Sequence, residues 1–149
     1  MSEITEKSKV IADYLGWRYV PSNDLQGFPK AGWWKGNCNT KEGISYNKIN
    51  SGCLYVCRNH NQLRFYNSFD ALIPAIEKLE KEDLSDYIKN FEYIEFVRDN
   101  FTSEIQLLSH PKPMELIGES KDKGIIKDTF YAVYQAIEYI NNLKENYEN

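Results

Sequence analysis

An amphipathic stripe near the middle of the chain restricts the fold more than any other feature of the sequence. Apolar residues recur there at three- and four-residue spacing, which is typical of one helix face: Phe69, Leu72, Ile73, Ile76 and Leu79. Asn67, Ser68 and Asp70 each offer a side-chain oxygen that could cap the first turn. We therefore predict a helix over residues 70–81, and its apolar face must pack against another element.

Two further helices are predicted, one towards each end of the chain. Residues 3–15 carry a shorter apolar stripe, and Gly16 follows where a left-handed cap is commonly needed. In the last third of the chain, apolar residues again step by three and four: Ile126, Phe130, Val133, Ile137, Ile140 and Leu143. Ser120 or Asp122 could start this last helix.

The rest of the chain contains several segments with strand character and one long connection. Pro, Gly and Asn are frequent in residues 21–39, which we interpret as a loop. Aromatic and β-branched residues bounded by turn residues predict short strands at residues 17–20, 43–49, 52–58, 62–66, 91–97, 102–108 and 114–117. The short turns between most of these segments favour antiparallel pairing.

Together these elements predict an α+β fold. We expect one domain over residues 1–149, in which a mainly antiparallel sheet carries helices on both faces, an α/β/α sandwich. Residues 21–61 would form a β and loop elaboration of that domain. Hydrophobic residues at 42% and charged residues at 27% agree with a globular protein.

The sequence carries no sign of export or membrane insertion. Its longest apolar runs are too short to cross a bilayer, and the polar N-terminus lacks the basic start and apolar centre of a signal peptide. Three cysteines without such a signal indicate free thiols in a reducing compartment. We therefore expect a cytoplasmic protein that does not contact a membrane.

Charge is distributed unevenly along the chain. Residues 1–66 contain nine Lys and Arg against five Asp and Glu, whereas residues 67–149 contain nine against seventeen. Such asymmetry can reflect two surfaces that face different partners, or simply two solvated surfaces.

Residues that could support metal binding or catalysis are few. Cys38, Cys53, Cys57 and His60 have the ligand types of a zinc site, but in a strand Cys53 and Cys57 would lie roughly 13 Å apart. We therefore predict no metal site. His60 and His110 are the only histidines, and the chain contains neither a GxxxxGK loop nor a GxSxG elbow. These observations predict a non-enzymatic protein without a cofactor.

Aromatic and cationic residues are interleaved in the first half of the chain. Trp33 and Trp34 are adjacent, so in an extended loop they would point in opposite directions and at least one should be exposed. Exposed rings beside cations suit stacked bases, nucleotides or an acidic protein surface, although such rings can also complete a core. We predict that the binding surface is formed by Trp33, Trp34, Phe28, Lys30, Lys35, Arg18, Arg58 and Arg64.

Three segments carry a likeness to a known family: IADYLGW near the N-terminus, YNSFDALIPAIEKLE in the middle, and SKDKGIIKDTFYAVYQAIEYINN towards the end. With the β segments between them, they resemble the phage ABA sandwich domain family of small phage and prophage proteins. The likeness covers residues 9–17 and 65–142, whereas residues 21–61 depart from the compact family pattern. The resemblance implies a viral accessory role, often the inhibition of host defences, and it supplies no catalytic residues.

The resemblance and the predicted surface together suggest a phage-derived protein that inhibits a host antiviral defence. Its most concrete form is an anti-CRISPR-type inhibitor that binds an effector protein or its guide-RNA complex. Trp33, Trp34 and Phe28 would be its anchors, and Lys30 and Lys35 would steer it towards an acidic protein or the backbone of a bound guide RNA. Two alternatives are a sponge that sequesters a cyclic nucleotide signal and a protein that binds single-stranded nucleic acid.

Overall fold

The computed structural model describes residues 2–22, 30–36 and 53–148. These residues form three α-helices and two three-stranded antiparallel sheets, so the predicted α+β class is confirmed. The predicted strands are divided between two sheets instead of joining one. The chain separates into two compact units, residues 1–63 and residues 64–149, and each is described by itself. Among the described residues, none of the helices combines the length and the apolar character that crossing a membrane requires.

The first unit begins with the predicted N-terminal helix, α1 (Glu3–Tyr14). Ser2 is its N-cap, because the Ser2 side chain accepts a hydrogen bond from the Thr5 backbone N–H at 3.2 Å. Gly16 follows the helix at a φ of 79°, which confirms the predicted left-handed cap. Ile11 and Ala12 are fully buried on the inner face of α1.

Three strands form the first sheet: β1 (Arg18–Val20), β2 (Gly32–Gly36) and β3 (Cys53–Cys57). β2 lies in the middle and pairs antiparallel with both neighbours. The prediction that residues 21–39 are all loop is therefore wrong for β2, whose two tryptophans supply the ring bulk that strands favour. The strand predicted at residues 43–49 lies outside the described residues.

A 3₁₀ turn (His60–Gln62) closes the first unit in place of the strand predicted at residues 62–66. The Gln62 side-chain oxygen accepts hydrogen bonds from the backbone N–H groups of Arg58 and Asn59, at 3.1 and 2.9 Å. This local bonding holds the backbone in a turn and competes with a strand ladder.

The second unit contains the central helix, α2 (Phe69–Glu80), close to its predicted bounds. Of the three candidate caps, Ser68 is the one used: its hydroxyl accepts from the Ala71 N–H at 3.3 Å. Leu72, Ile76 and Leu79 are buried, as the stripe predicts, whereas Ile73 of the same stripe is exposed. After α2, residues 82–90 form a connection with turns at residues 85–87 and 89–90.

The second sheet is an antiparallel meander of β4 (Phe91–Arg98), β5 (Thr102–Ser109) and β6 (Glu115–Lys121). It confirms the predicted hairpin, whose turn is held by Asp99 Oδ1 accepting from two backbone N–H groups. Along β5, buried and half-buried residues alternate strictly, so one face of this sheet is covered.

The last helix, α3 (Ile125–Glu148), covers that face together with α2. It begins later than predicted because Ser120 belongs to β6. Gly118 of β6 lies against the helix so closely that an added Cβ would collide with the Ala132 carbonyl oxygen. Glycine is therefore required for this strand and helix to approach each other.

Candidate binding cleft

The two tryptophans predicted as exposed anchors are both buried. Trp33 leaves 1% of its surface exposed and Trp34 leaves 4%. The reason is that β2 is the central strand, so a tryptophan on either face of the sheet meets neighbours instead of solvent. The Trp34 ring packs edge-on against Tyr55 at 5.4 Å, and its indole N–H donates to the Lys30 carbonyl at 3.1 Å. The prediction that at least one of the pair is exposed is therefore wrong.

The predicted cations have different surroundings. Lys30 Nζ is 5.0 Å from the Tyr55 ring centre, and Lys35 Nζ is 5.9 Å from the ring centre of Trp17. Arg18 is half-buried in β1, opposite Trp34. The two remaining arginines are exposed, one after β3 and one in the second unit: Arg58 and Arg64. Phe28 lies outside the described residues, and its predicted role as an anchor stays a prediction.

A different set of residues forms an open cleft in the first unit, with a volume of about 480 Å³. We call it the His60 cleft. The start of α1, strand β1 and the 3₁₀ turn meet there, and the lining side chains are Ser2, Thr5, Tyr19, Asn59, His60 and Asn61. Tyr19 supplies the aromatic wall and keeps 38% of its surface exposed. All six side chains are neutral when the imidazole is unprotonated, so the cleft is polar without strong charge.

The Asn-His-Asn run presents these side chains because the turn that carries it is rigidly closed. The Gln62 side chain accepts hydrogen bonds from the backbone of Arg58 and Asn59, and α1 packs against the turn. The sequence predicts a turn between strands at this run, and it offers His60 only as a possible zinc ligand or base. The sequence does contain a signal for the cleft. Asn59, His60 and Asn61 are three consecutive side chains that form hydrogen bonds, and the glutamine that follows them can bond the backbone of such a turn.

His60 is fixed within the cleft by aromatic neighbours. Its imidazole lies 4.3 Å from the Tyr19 ring and 5.7 Å from the Trp33 ring, measured between centres. The Trp33 indole N–H donates a hydrogen bond to His60 Nδ1 at 2.9 Å. Burial, aided by the Lys9 charge, holds the pKa of His60 below its ordinary value, although Glu6 and Asp13 act in the opposite direction. The imidazole is therefore neutral at physiological pH.

Cys57 is the thiol nearest to the cleft in sequence. Its Sγ lies 3.5 Å from the Asn59 carbonyl oxygen, a suitable distance for a weak S–H donor. Burial raises the pKa of the Cys57 thiol above its ordinary value. At neutral pH this group is a thiol and not the thiolate that nucleophilic catalysis requires.

Cys53 takes part in a disulfide bond, whereas Cys57 is free. The expectation that all three thiols are free is therefore wrong. The cysteine content consequently no longer supports a reducing compartment. Cytoplasmic localisation stays a prediction. Within residues 2–22, 30–36 and 53–148, His, Cys, Asp and Glu side chains do not gather in a group of three that could hold a metal ion.

The second unit has a smaller hollow of about 320 Å³, lined by the residues at the start of α3, Lys123 to Lys127. Beside it, Lys127 Nζ lies 5.4 Å from the Tyr66 ring and Lys123 Nζ lies 5.7 Å from the Tyr131 ring. These pairs tie the helix start to its own neighbours. The hollow brings together fewer hydrogen-bonding side chains than the His60 cleft, which is the better candidate for a binding site.

Comparison with known proteins adds no relative: no family model, no curated protein and no solved structure matches the chain. The resemblance to the phage ABA sandwich domain family therefore stays a prediction from the sequence.

Proposed function

We propose that this chain is a non-enzymatic binding protein that captures a small polar ligand in the His60 cleft. We further propose that it is a phage-derived inhibitor, which acts by withdrawing such a ligand from a host antiviral defence. The observation that supports capture is the cleft itself: the aromatic wall of Tyr19 beside five other neutral hydrogen-bonding side chains, in a volume of about 480 Å³. Small-molecule sites commonly have a volume of this order, and placed polar groups fix the orientation of their ligands. The antiviral role rests on the sequence resemblance.

The local chemistry favours binding over catalysis. Nucleophilic catalysis needs a nucleophile and a base within hydrogen-bond reach of each other. Here the Cys57 sulfur faces the Asn59 carbonyl oxygen, and His60 Nδ1 is occupied by the Trp33 indole N–H. The two groups therefore have separate partners.

The burial of the tryptophans also bears on the choice between the two anti-defence roles. Binding to an effector complex through Trp33 and Trp34 is disfavoured, because both rings are buried and neither can contact a partner surface without unfolding β2. The same loss applies to bases stacked on these rings in a single strand. Capture of a small ligand needs neither tryptophan at the surface, and we therefore favour it.

Retained ligand is the direct test. The protein would be purified by affinity from bacterial cells whose antiviral signalling has been activated, then denatured, and the released small molecules would be quantified by mass spectrometry. We expect about one ligand per chain from the unmodified protein. Tyr19→Ala should reduce retention about tenfold or more, because it removes the aromatic wall.

Tyr93→Ala is the matched control, because Tyr93 is a tyrosine of similar exposure (44%, against 38% for Tyr19) on the sheet of the second unit. It should retain ligand normally. In cells, expression of the protein should restore phage growth against the defence, and Tyr19→Ala should not. Protein purified without any stoichiometric small molecule, in cells where it does restore phage growth, would contradict capture as the mechanism.

A further inference from the structure

Trp33 determines which nitrogen of His60 carries the proton. An indole N–H can only donate, so the nitrogen that it contacts at 2.9 Å, Nδ1, must be the unprotonated acceptor. Trp33 leaves 1% of its surface exposed, so water has little access to replace His60 as the partner of the indole. Leaving a buried N–H without an acceptor is costly, and the bond therefore selects one tautomer. In that tautomer the proton is on Nε2.

The selected tautomer gives the cleft a hydrogen-bond donor with a fixed position. His60 lines the cleft, and Nδ1, engaged by Trp33, is not available to a ligand. The nitrogen left for a ligand is Nε2, and it can only donate. The ligand must therefore present an acceptor, such as a ring nitrogen or a carbonyl oxygen.

The other lining groups narrow the ligand further. Tyr19 offers an aromatic surface that is 38% exposed. Asn59 and Asn61 each contribute an amide that both donates and accepts, and Ser2 and Thr5 contribute hydroxyl groups. A planar group with acceptors and donors along its edge could hydrogen-bond the asparagine amides and the imidazole N–H, and could stack on the tyrosine ring at the same time. Nucleobases have this chemistry, because they stack on aromatic side chains and hydrogen-bond along their edges.

We propose that the His60 cleft binds the base of a nucleoside or nucleotide, with His60 Nε2–H donating to an acceptor on the base edge and Tyr19 stacking on its face. Trp33 is a positioning residue in this arrangement, because it acts only through the imidazole. This inference rests on the proposed capture of a small ligand and specifies its class.

The tautomer can be measured in the free protein, independently of any ligand. Nitrogen-15 NMR of the imidazole rings distinguishes protonated from unprotonated ring nitrogens, and His110→Gln identifies the His60 signals because the chain has only two histidines. We expect a protonated Nε2 and an unprotonated Nδ1. A protonated Nδ1 in the folded, neutral imidazole would overturn the inference.

Trp33→Phe and Trp34→Phe form a matched pair. Each removes a buried indole N–H, but only Trp33 donates to His60, whereas Trp34 donates to the Lys30 carbonyl. Trp33→Phe should therefore let both tautomers of His60 appear, and Trp34→Phe should leave the spectrum of the ring unchanged. An unchanged ring in folded Trp33→Phe would show that the indole does not select the tautomer.

Ligand class is tested by calorimetry with the 5′-monophosphates of adenosine, guanosine, cytidine and uridine, and with ribose 5-phosphate as a probe that lacks a base. We expect at least one nucleotide to bind and ribose 5-phosphate not to bind. Trp33→Phe should weaken that binding about fivefold, the effect of one misplaced hydrogen bond, and Trp34→Phe should not weaken it. Equal binding of ribose 5-phosphate would overturn base recognition.

The outcomes separate this inference from the proposed function. A retained cellular ligand that contains no nucleobase would overturn base recognition and leave capture standing. Absence of a retained ligand, together with nucleotides that fail to bind, would overturn both capture and base recognition, while the tautomer result would still stand on the free protein.

Discussion

At the residue scale, Asp128 of α3 is a charged residue that is fully buried. Arg98 donates to its Oδ2 at 2.9 Å, and Ser120 donates to its Oδ1 at the same distance. Burial alone would raise the pKa of Asp128, but these hydrogen bonds and the Arg98 charge outweigh burial and hold it below its ordinary value of 3.8. The ionised carboxylate is therefore part of the folded structure, where it joins α3 to two strands of the second sheet.

Asp128→Asn should lower the free energy of unfolding by about 3 kcal/mol at neutral pH, because it leaves the largely buried Arg98 guanidinium without its counter-charge. A depressed carboxyl pKa stabilises the fold above the unfolded pKa, and that stability is lost as pH falls through the folded pKa. The difference between Asp128→Asn and the unmodified protein should therefore be full at neutral pH and shrink as the pH falls below the ordinary carboxyl pKa of 3.8 towards the lower pKa of folded Asp128. Urea unfolding at several pH values measures it, with the exposed Asp86→Asn as control. A difference independent of pH would contradict this account.

At the element scale, the approach of β6 to α3 depends on one glycine. Gly118→Ala would place a methyl group against the Ala132 carbonyl oxygen, which is backbone and cannot move aside as a side chain can. We expect Gly118→Ala to lower the free energy of unfolding by about 2 kcal/mol or more. Gly16→Ala should cost only about 1 kcal/mol, because Gly16 has a positive φ but an added Cβ would meet open space. Thermal and urea unfolding of the two variants compare them, and equal losses would refute the steric argument.

The same element-level view explains which parts of the structure could be read from the sequence. The apolar stripes of α2 and α3 are visible in the sequence because each arises from the periodicity of a single helix. The alternation along β5 likewise arises within a single strand. The sequence predicts a loop at residues 32–36, because their strand structure depends on pairing with β1 and β3 and is not visible in the local pattern. The burial of Trp33 and Trp34 follows from that pairing. The His60 cleft was missed for a similar reason, since three elements must meet to form it.

At the scale of the whole molecule, the oxidation state of the cysteines decides between two views of where the protein works. The sequence suggests three free thiols in a reducing compartment, whereas Cys53 is disulfide-bonded in the structure. Protein isolated without reductant and then denatured should therefore give one reactive thiol per chain in a thiol titration, and three after reduction. Cys57→Ser should give none before reduction, because Cys57 is the free thiol.

Cys53→Ser provides the complementary measurement, because removing one member of the disulfide releases its partner and two thiols should then react. Its unfolding curve, compared with that of Cys57→Ser, measures how much the cross-link stabilises the fold, and a loss of about 2–4 kcal/mol is typical. Three reactive thiols in protein purified from oxidising medium would contradict the disulfide. If the disulfide forms only when the purified protein is exposed to air, the cytoplasmic prediction would survive and the bond would play no part in the cell.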